Sequence, residues 1–320
     1  LGHHGALRDA VAFEFAPGGA MLYRDTGNAL PDASIRAAEK ADAILLGAMG
    51  WPEIRYPDGR EIAPQVDLRN ILDLYAGVRP IRAIPGFPPR LADPRAAEID
   101  LVIVRESTEG LFALRDRGEV IDDREARETL VITRKTSERL FDFAFKLAER
   151  RKARGGKGIV TCVDKANVFR AFAFFRKIFD ERAGNFPHIK AAHRYIDAAA
   201  LDLILRPWDY DVMATENQFG DIISDLAAGL IGGMGMAPSA DIGDAHAVFQ
   251  PSHGTAPDIA GKGVANPTAM FLSAALMLDW LGERHAVEAC SVAARVLEPA
   301  VAPAYPGGPL ERPYDVTGWT

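Results

Sequence analysis

An α/β fold of two domains is what this chain of 320 residues predicts. Three observations carry the expectation. Short apolar runs alternate with amphipathic stretches, the pattern of strands joined by crossover helices. The runs are almost continuously apolar, as strands buried on both faces of a mostly parallel sheet must be. The polar residues that stand out follow those runs directly, and ligand sites of open α/β sheets lie at strand carboxyl ends.

A helix is expected over 32–40, then a buried strand over 41–48 (ADAILLGA) and another over 99–105 (IDLVIVR). The stretch 118–131 (GEVIDDREARETLV) is less regular; its Val, Ile and Thr content fits an extended hairpin, either a dimer arm or a plain surface hairpin. Helix 134–151 follows and ends in the basic run RRKARGGK at 150–157, which reads as a solvated helix end and turn. Next come a strand at 158–163 (GIVTCV), a helix at 166–183, a helix at 198–205 and a strand at 211–215 (DVMAT). A helix over 267–281 contains the longest apolar stretch, 270–278, too short to span a membrane. Glu106, Asp164, Lys165, Glu216 and Asn217 all lie just after strands.

Composition narrows the function classes. With 37 basic against 44 acidic residues the net charge is −7, so no basic excess points to nucleic acid. Cys162 and Cys290 form no spacing motif, which suits a reducing compartment such as the cytoplasm rather than a disulfide framework. No G-x-G-x-x-G follows a strand and no P-loop is present, so a dinucleotide would bind without the Rossmann fingerprint.

The densest chemistry lies between Glu216 and Pro267. Asp221 and Asp225 are four apart and share one face of a helix. Two such carboxylates repel unless a cation lies between them, and Mg²⁺ or Mn²⁺ prefers oxygen ligands of this kind; a solvated acidic helix face is the plainer alternative. The glycines of GLIGGMG (229–235) allow either a close backbone approach or helix-end packing. Arg69, Arg79 and Arg105 read singly as structural ion pairs and together as a clamp for a substrate with two carboxylates. Lys165 is either a solvated helix-start residue or an acid/base group whose pKa neighbouring cations would lower. Asp197 either caps a helix or supplies a third oxygen to a metal.

Seven ordered motifs resemble the β-decarboxylating dehydrogenases, the family of isopropylmalate, isocitrate, homoisocitrate and tartrate/D-malate dehydrogenases. They are LRNILDLYAGVRP, VIVRESTEG, VDKANV, YIDAAALDL, FGDIISDL, GMAPSADIG and HGTAPDIAGKGVANP. The resemblance implies a cofactor-binding large domain from 1–76 and 232–320, and a substrate and dimerisation domain from 77–231 with an arm at about 115–135. It implies a homodimer with shared active sites, a hydroxy diacid substrate, NAD, and Mg²⁺ or Mn²⁺. Arg69, Arg79 and Arg105 match the residues that bind substrate carboxylates, Asp221 and Asp225 the metal ligands of one subunit, and Lys165 and Asp197 the base and the metal ligand reaching in from the partner. His253, Gly254, Ala256, Asp258, Ile259 and Asn266 match the adenosine loop, and Asn167 falls on the cofactor side. A carboxylate at Asp258 accepts from a free ribose hydroxyl and repels a 2′-phosphate; NADP-preferring members carry Lys and Tyr where Asp258 and Ile259 stand, so the resemblance implies NAD.

This chain departs from the family in three places. The usual N-terminal GDGIGPE turn is absent, and the expectation is a sequence continuing upstream of Leu1. Phe112 stands where the family has the tyrosine assigned to protonating the enol. Gln65 stands where isopropylmalate enzymes have leucine, which favours a small or polar, malate-type substituent over an isopropyl group. The expectation is NAD- and metal-dependent oxidation of a (2R)-hydroxy diacid with decarboxylation. An isocitrate-type dehydrogenase and a noncatalytic regulatory subunit of a hetero-oligomer are the alternatives.

Overall fold

The structure is a computed structural model that describes residue 7 and residues 10–301 apart from 89 and 116. Helix α1 (Ala20–Thr26) ends at Gly27, left-handed at φ 76°, and α2 (Asp32–Lys40) begins with an acid and ends with a base, matching the helix dipole. Strand β1 (Ile44–Leu45) and α3 (Pro64–Ile71, with proline in its first turn) precede β2 (Ala76–Arg82) and β3 (Asp100–Glu106). The hairpin of β4 (Glu119–Ile121) and β5 (Glu125–Arg127) turns through Asp122 and Asp123, both at positive φ. Then follow α4 (Arg134–Ala153), β6 (Ile159–Asp164), α5 (Arg170–Ala183), β7 (Lys190–Tyr195), α6 (Ile196–Leu205), β8 (Val212–Thr215) and α7 (Asn217–Leu230). Strands β9 (Pro238–Ile242) and β10 (Ala247–Pro251) lead to α8 (Thr268–His285) and α9 (Glu288–Ala300). Among the described residues no helix is long and apolar enough to cross a membrane.

The chain forms two compact units. One takes its residues from Leu1–Leu74, Ile84–Pro88 and Gly232–Thr320, the other from Tyr75–Ala83 and Pro89–Ile231. In the first, β1 runs parallel to β10 and β10 antiparallel to β9. Ala38, Leu68, Leu72 and Val248 form a core there, and Leu278, Cys290 and Ala294 join α8 to α9.

In the second unit the strand order is β2-β3-β8-β6-β7, antiparallel between β2 and β3 and parallel elsewhere. A phenylalanine cluster packs α4 on α5, with Phe141 and Phe175 centroids 4.6 Å apart and Phe145 and Phe179 at 5.3 Å. Register decides the chemistry here: Thr215 pairs with Arg105 on one side and Val163 on the other, so β3, β8 and β6 end at one level. Arg105, Glu106, Asp164, Lys165 and Glu216 thereby emerge along one edge.

Several expectations change. The strand over 41–48 shrinks to Ile44–Leu45, since only those residues pair, with β10. The helix expected from 166 begins at Arg170; a turn over 165–168 precedes it, held by Asp164 Oδ1 accepting from the Ala166 N–H at 2.8 Å. Arg151, read as part of a solvated helix end, instead donates to the buried Asp211 at 2.6 Å and to the Asp100 carbonyl at 2.8 Å. Arg151→Met is therefore expected to destabilise the protein by about 3 kcal/mol, because it strands a buried carboxylate. Urea unfolding measures this, and a loss within the range of a surface substitution would refute it.

Candidate active site

Arg105 leaves the end of β3 almost wholly buried, and α7 is built around it. The helix starts at Glu216, whose carboxylate caps it by accepting from the Gln218 and Phe219 N–H groups at 3.0 and 3.1 Å. Its first residue, Asn217, is fully buried and accepts from Arg105 Nε at 2.9 Å and Nη2 at 2.6 Å. One turn on, Asp221 accepts from Arg105 Nη1. Between them Gly220 admits the arginine stem, for a Cβ there would lie 2.6 Å from Arg105 Cβ and Cγ. The Phe112 ring lies 5.3 Å from the guanidinium carbon.

Asp225 lies one further turn along α7. Burial raises its carboxyl above the usual range, and the Asp221 charge adds to this against the opposing pull of Arg79 and Arg105. Arg79 is buried on β2; Arg79 pairs with Ile103 and Gly77 with Arg105, so the two arginines share a face of the β2–β3 ladder. This unit thus brings Arg79, Arg105, Asp221 and Asp225 together. Two carboxylates one turn apart on α7, Asp225 raised by desolvation and then by the Asp221 charge, make an all-oxygen donor pair that fits a hard divalent cation. Among the described residues no three His, Cys, Asp or Glu side chains assemble to hold a metal, so α7 supplies two candidate ligands rather than a closed set.

Lys165 and Asp197 form a separate pair at the ends of β6 and β7, with Nζ to Oδ1 at 2.6 Å. The Lys165 hydrogen bond holds the Asp197 carboxyl below its ordinary range. Asp197 does not cap α6 with its side chain. Of the two readings of Lys165, the acid/base one calls for cationic neighbours; within this chain its hydrogen-bond partner is this carboxylate. Asp164, preceding Lys165, is fully buried and gripped by Arg176 through two bonds of 2.8 and 2.7 Å.

In the other unit, Arg69 donates from Nε to the buried Asp241 at 3.0 Å, which also accepts from Gln250. Gln65, one turn earlier on α3, has a buried side-chain oxygen with no hydrogen-bond partner. The segment joining β10 to α8 carries the remaining residues. His253 Nδ1 lies 2.8 Å from the Gly254 carbonyl, and Thr255 Oγ1 donates to the Gly50 carbonyl at 2.7 Å. Asp258 sits exposed on a short 3₁₀ turn, Pro257–Ile259, with Ala256 just before it. A side chain added at Gly254 would meet open space. Asn266 ends the segment, accepting from the Thr268 N–H at 3.0 Å. An exposed carboxylate on a tied-down loop with open backbone beside it fits a ribose hydroxyl. Asn167 is exposed in the 165–168 turn of the other unit.

Glu106, next to Arg105, is a buried carboxyl that burial pushes up to about 7 despite donors at Thr108 and Glu109. Raised above its unfolded value, it binds a proton in the native state between about pH 4.5 and 7 that the unfolded chain has released. Stability is therefore expected to fall as pH rises through that window, by on the order of 3 kcal/mol. Glu106→Gln should flatten that slope in urea unfolding at pH 5.5 and 8, and an unchanged slope would refute the assignment.

The family model for isocitrate/isopropylmalate dehydrogenase matches residues 6–303. The 3-isopropylmalate/3-methylmalate dehydrogenase of Methanocaldococcus jannaschii is 48% identical over 279 residues, covering 86% of this chain and 79% of that protein. The homoisocitrate dehydrogenase of the same organism is 41% identical over 305 residues, covering 91% and 85%. Among solved structures, isocitrate dehydrogenase from Methylococcus capsulatus superposes with a TM-score of 0.76 at 36% identity, covering 92% of this chain and 84% of that one.

Proposed function

The chain belongs to the isocitrate/isopropylmalate dehydrogenase family, an oxidoreductase acting on a hydroxyl-bearing carbon, and on that premise we propose that it oxidises and decarboxylates a (2R)-hydroxy diacid of the malate type. The observation that carries the reading is the facing of Asp221 and Asp225 by Arg79 and Arg105 in one buried-edged cluster. Arg105 and Arg79 bind substrate carboxylate, with Arg69 a third contact. Asp221 and Asp225, with Asp197 of a second subunit, hold Mg²⁺ or Mn²⁺, which when bound lowers the pKa of the substrate hydroxyl and steadies negative charge. Lys165 accepts the hydroxyl proton. Asp258, His253, Gly254, Ala256, Ile259, Asn266 and Asn167 bind NAD⁺, the hydride acceptor, which makes the unit carrying the 253–266 segment the cofactor domain. Phe112 places an apolar ring over Arg105 and offers no proton, so the enol is protonated by another group or by water.

The substituent follows from Gln65. Its buried, partnerless oxygen asks for a donor, which a hydroxyl supplies and an isopropyl group does not. The test supplies NAD⁺ and Mn²⁺ with D-malate, tartrate, isopropylmalate or isocitrate and follows NADH and CO₂ together. Matched release with D-malate or tartrate supports a malate-type diacid, and faster turnover of tartrate, which carries a hydroxyl on the substituent carbon where D-malate has only hydrogen, supports the Gln65 contact. Turnover of isopropylmalate alone overturns the substituent, and NADH from none favours the regulatory subunit, for which Phe112 is the supporting observation.

A homodimer completes the site, and an apolar face supports it. Leu201, Ile204 and Leu205 are exposed on one side of α6, and Ile222 is exposed on α7 of the same unit. Spaced i, i+3 and i+4, these residues form a stripe suited to a second copy. Leu201→Glu with Leu205→Glu is expected to convert dimer to monomer by light scattering and to abolish activity; an active monomer would overturn the shared site. The cytoplasm is the compartment such an enzyme would occupy.

A further inference from the structure

Arg105 has five N–H donors and no acceptor, so whatever groups it meets dictate its orientation. The oxygen of Asn217 must face it, since an amide nitrogen there would set donor against donor. The two bonds to Nε and Nη2 therefore fix which edge of the guanidinium turns toward α7. The amide nitrogen, pointed the other way, donates to the Glu109 carbonyl at 2.9 Å.

That carbonyl is itself anchored. The Glu109 carboxylate accepts from Thr133 N and Oγ1 at 2.8 and 2.5 Å, and the Glu109 N–H donates to Glu106 Oε2 at 2.7 Å. Gly110 and Val131 exchange backbone bonds of 2.8 and 3.1 Å. Gly110 stands at φ +74°, where a Cβ would come within 2.9 Å of Glu216 Oε1 and 3.0 Å of Asn217 Cβ. The turn after β3, the start of α7 and the entry to α4 are thus tied together at Asn217.

From this geometry we infer that Asn217 is a positioning residue: its amide locks the plane of the Arg105 guanidinium against the Glu109 carbonyl, so that Arg105 meets a substrate carboxylate already oriented. The inference rests on the reading of Arg105 as a substrate-carboxylate ligand. Asn217 touches neither substrate nor cofactor in this scheme. Freed from it, Arg105 retains its charge and the contact to Asp221 but loses its fixed plane, and a bidentate grip depends on that plane.

The experiment compares wild type, Asn217→Ala, Arg105→Ala and the double variant in the assembled, full-chain enzyme with D-malate, or whichever diacid of the panel turns over. Asn217→Ala is expected to raise KM for the diacid about 10- to 100-fold, the range of one hydrogen bond to a charged group, with a smaller change in kcat. NAD⁺ binding, read by tryptophan fluorescence, stays unchanged. In the Arg105→Ala background, Asn217→Ala adds less than threefold, because its effect runs through Arg105. A KM rise that persists undiminished without Arg105, or a KM within twofold of wild type in Asn217→Ala alone, overturns the inference. If Arg105→Ala itself leaves KM unchanged, the reading of Arg105 fails and the inference with it. Should Asn217→Ala not fold, Asn217→Ser is too short to reach Arg105 and carries the same expectations.

Discussion

Replacing Lys165 with methionine is expected to lower kcat by about 10²- to 10⁴-fold, the usual worth of a positioned proton acceptor. Methionine keeps the length and apolar stem of the side chain and removes the group that takes the proton. The backbone beneath is held independently, by Asp164 on Arg176 and on the Ala166 N–H, so the turn survives the change. Asp197 is mostly exposed, so losing its bridge to Lys165 costs little stability. Initial rates of NADH formation and a thermal melt separate the two effects. A kcat within threefold of wild type, with an unchanged melt, would remove Lys165 from the chemistry.

Asp225→Asn is the second large effect, and it has opposite signs in two measurements. Without metal the substitution removes a carboxylate that burial and the Asp221 charge both disfavour, so the melting temperature is expected to rise slightly. With Mn²⁺ present the stabilisation that ligand binding confers on wild type is lost, because one of the two carboxylates on α7 no longer carries charge. Activity should fall by on the order of 10³-fold, corresponding to several kcal/mol of charge stabilisation. Calorimetric titration with Mn²⁺ gives the third readout. Mn²⁺ affinity equal to wild type would sink the assignment of Asp225, whatever happens to the rate.

Much of this molecule is legible in its sequence. The helix at 32–40 has the bounds read from its pattern, and the strands ending near Arg105, Val163 and Thr215 lie within a residue of expectation. Such elements show because burial on both faces writes a continuous apolar run. Strands β2, β7, β9 and β10 are not legible in this way. β2 carries Arg79 and Pro80, and β7 (KAAHRY) is largely polar, so neither shows a buried strand's composition. Arg69 shows the same limit at the site: its buried partner Asp241 stands 172 residues away. Asn217 stands out as a polar residue after a strand, yet no spacing rule links it to Arg105, 112 residues earlier.

By itself, then, the sequence determined the α/β class, the family through its ordered motifs, and the helical spacing that puts Asp221 and Asp225 on one face. These follow from local periodicity and residue type, which short-range sterics and burial impose along the chain. Tertiary structure alone decided that Arg105 is oriented by Asn217, that Arg151 neutralises buried Asp211, and that Lys165 meets Asp197 rather than a cation within this chain. Each of those partnerships depends on strand register and helix packing, and these are settled by the core as a whole, because a one-residue slip in a strand would turn its side chains to the opposite face.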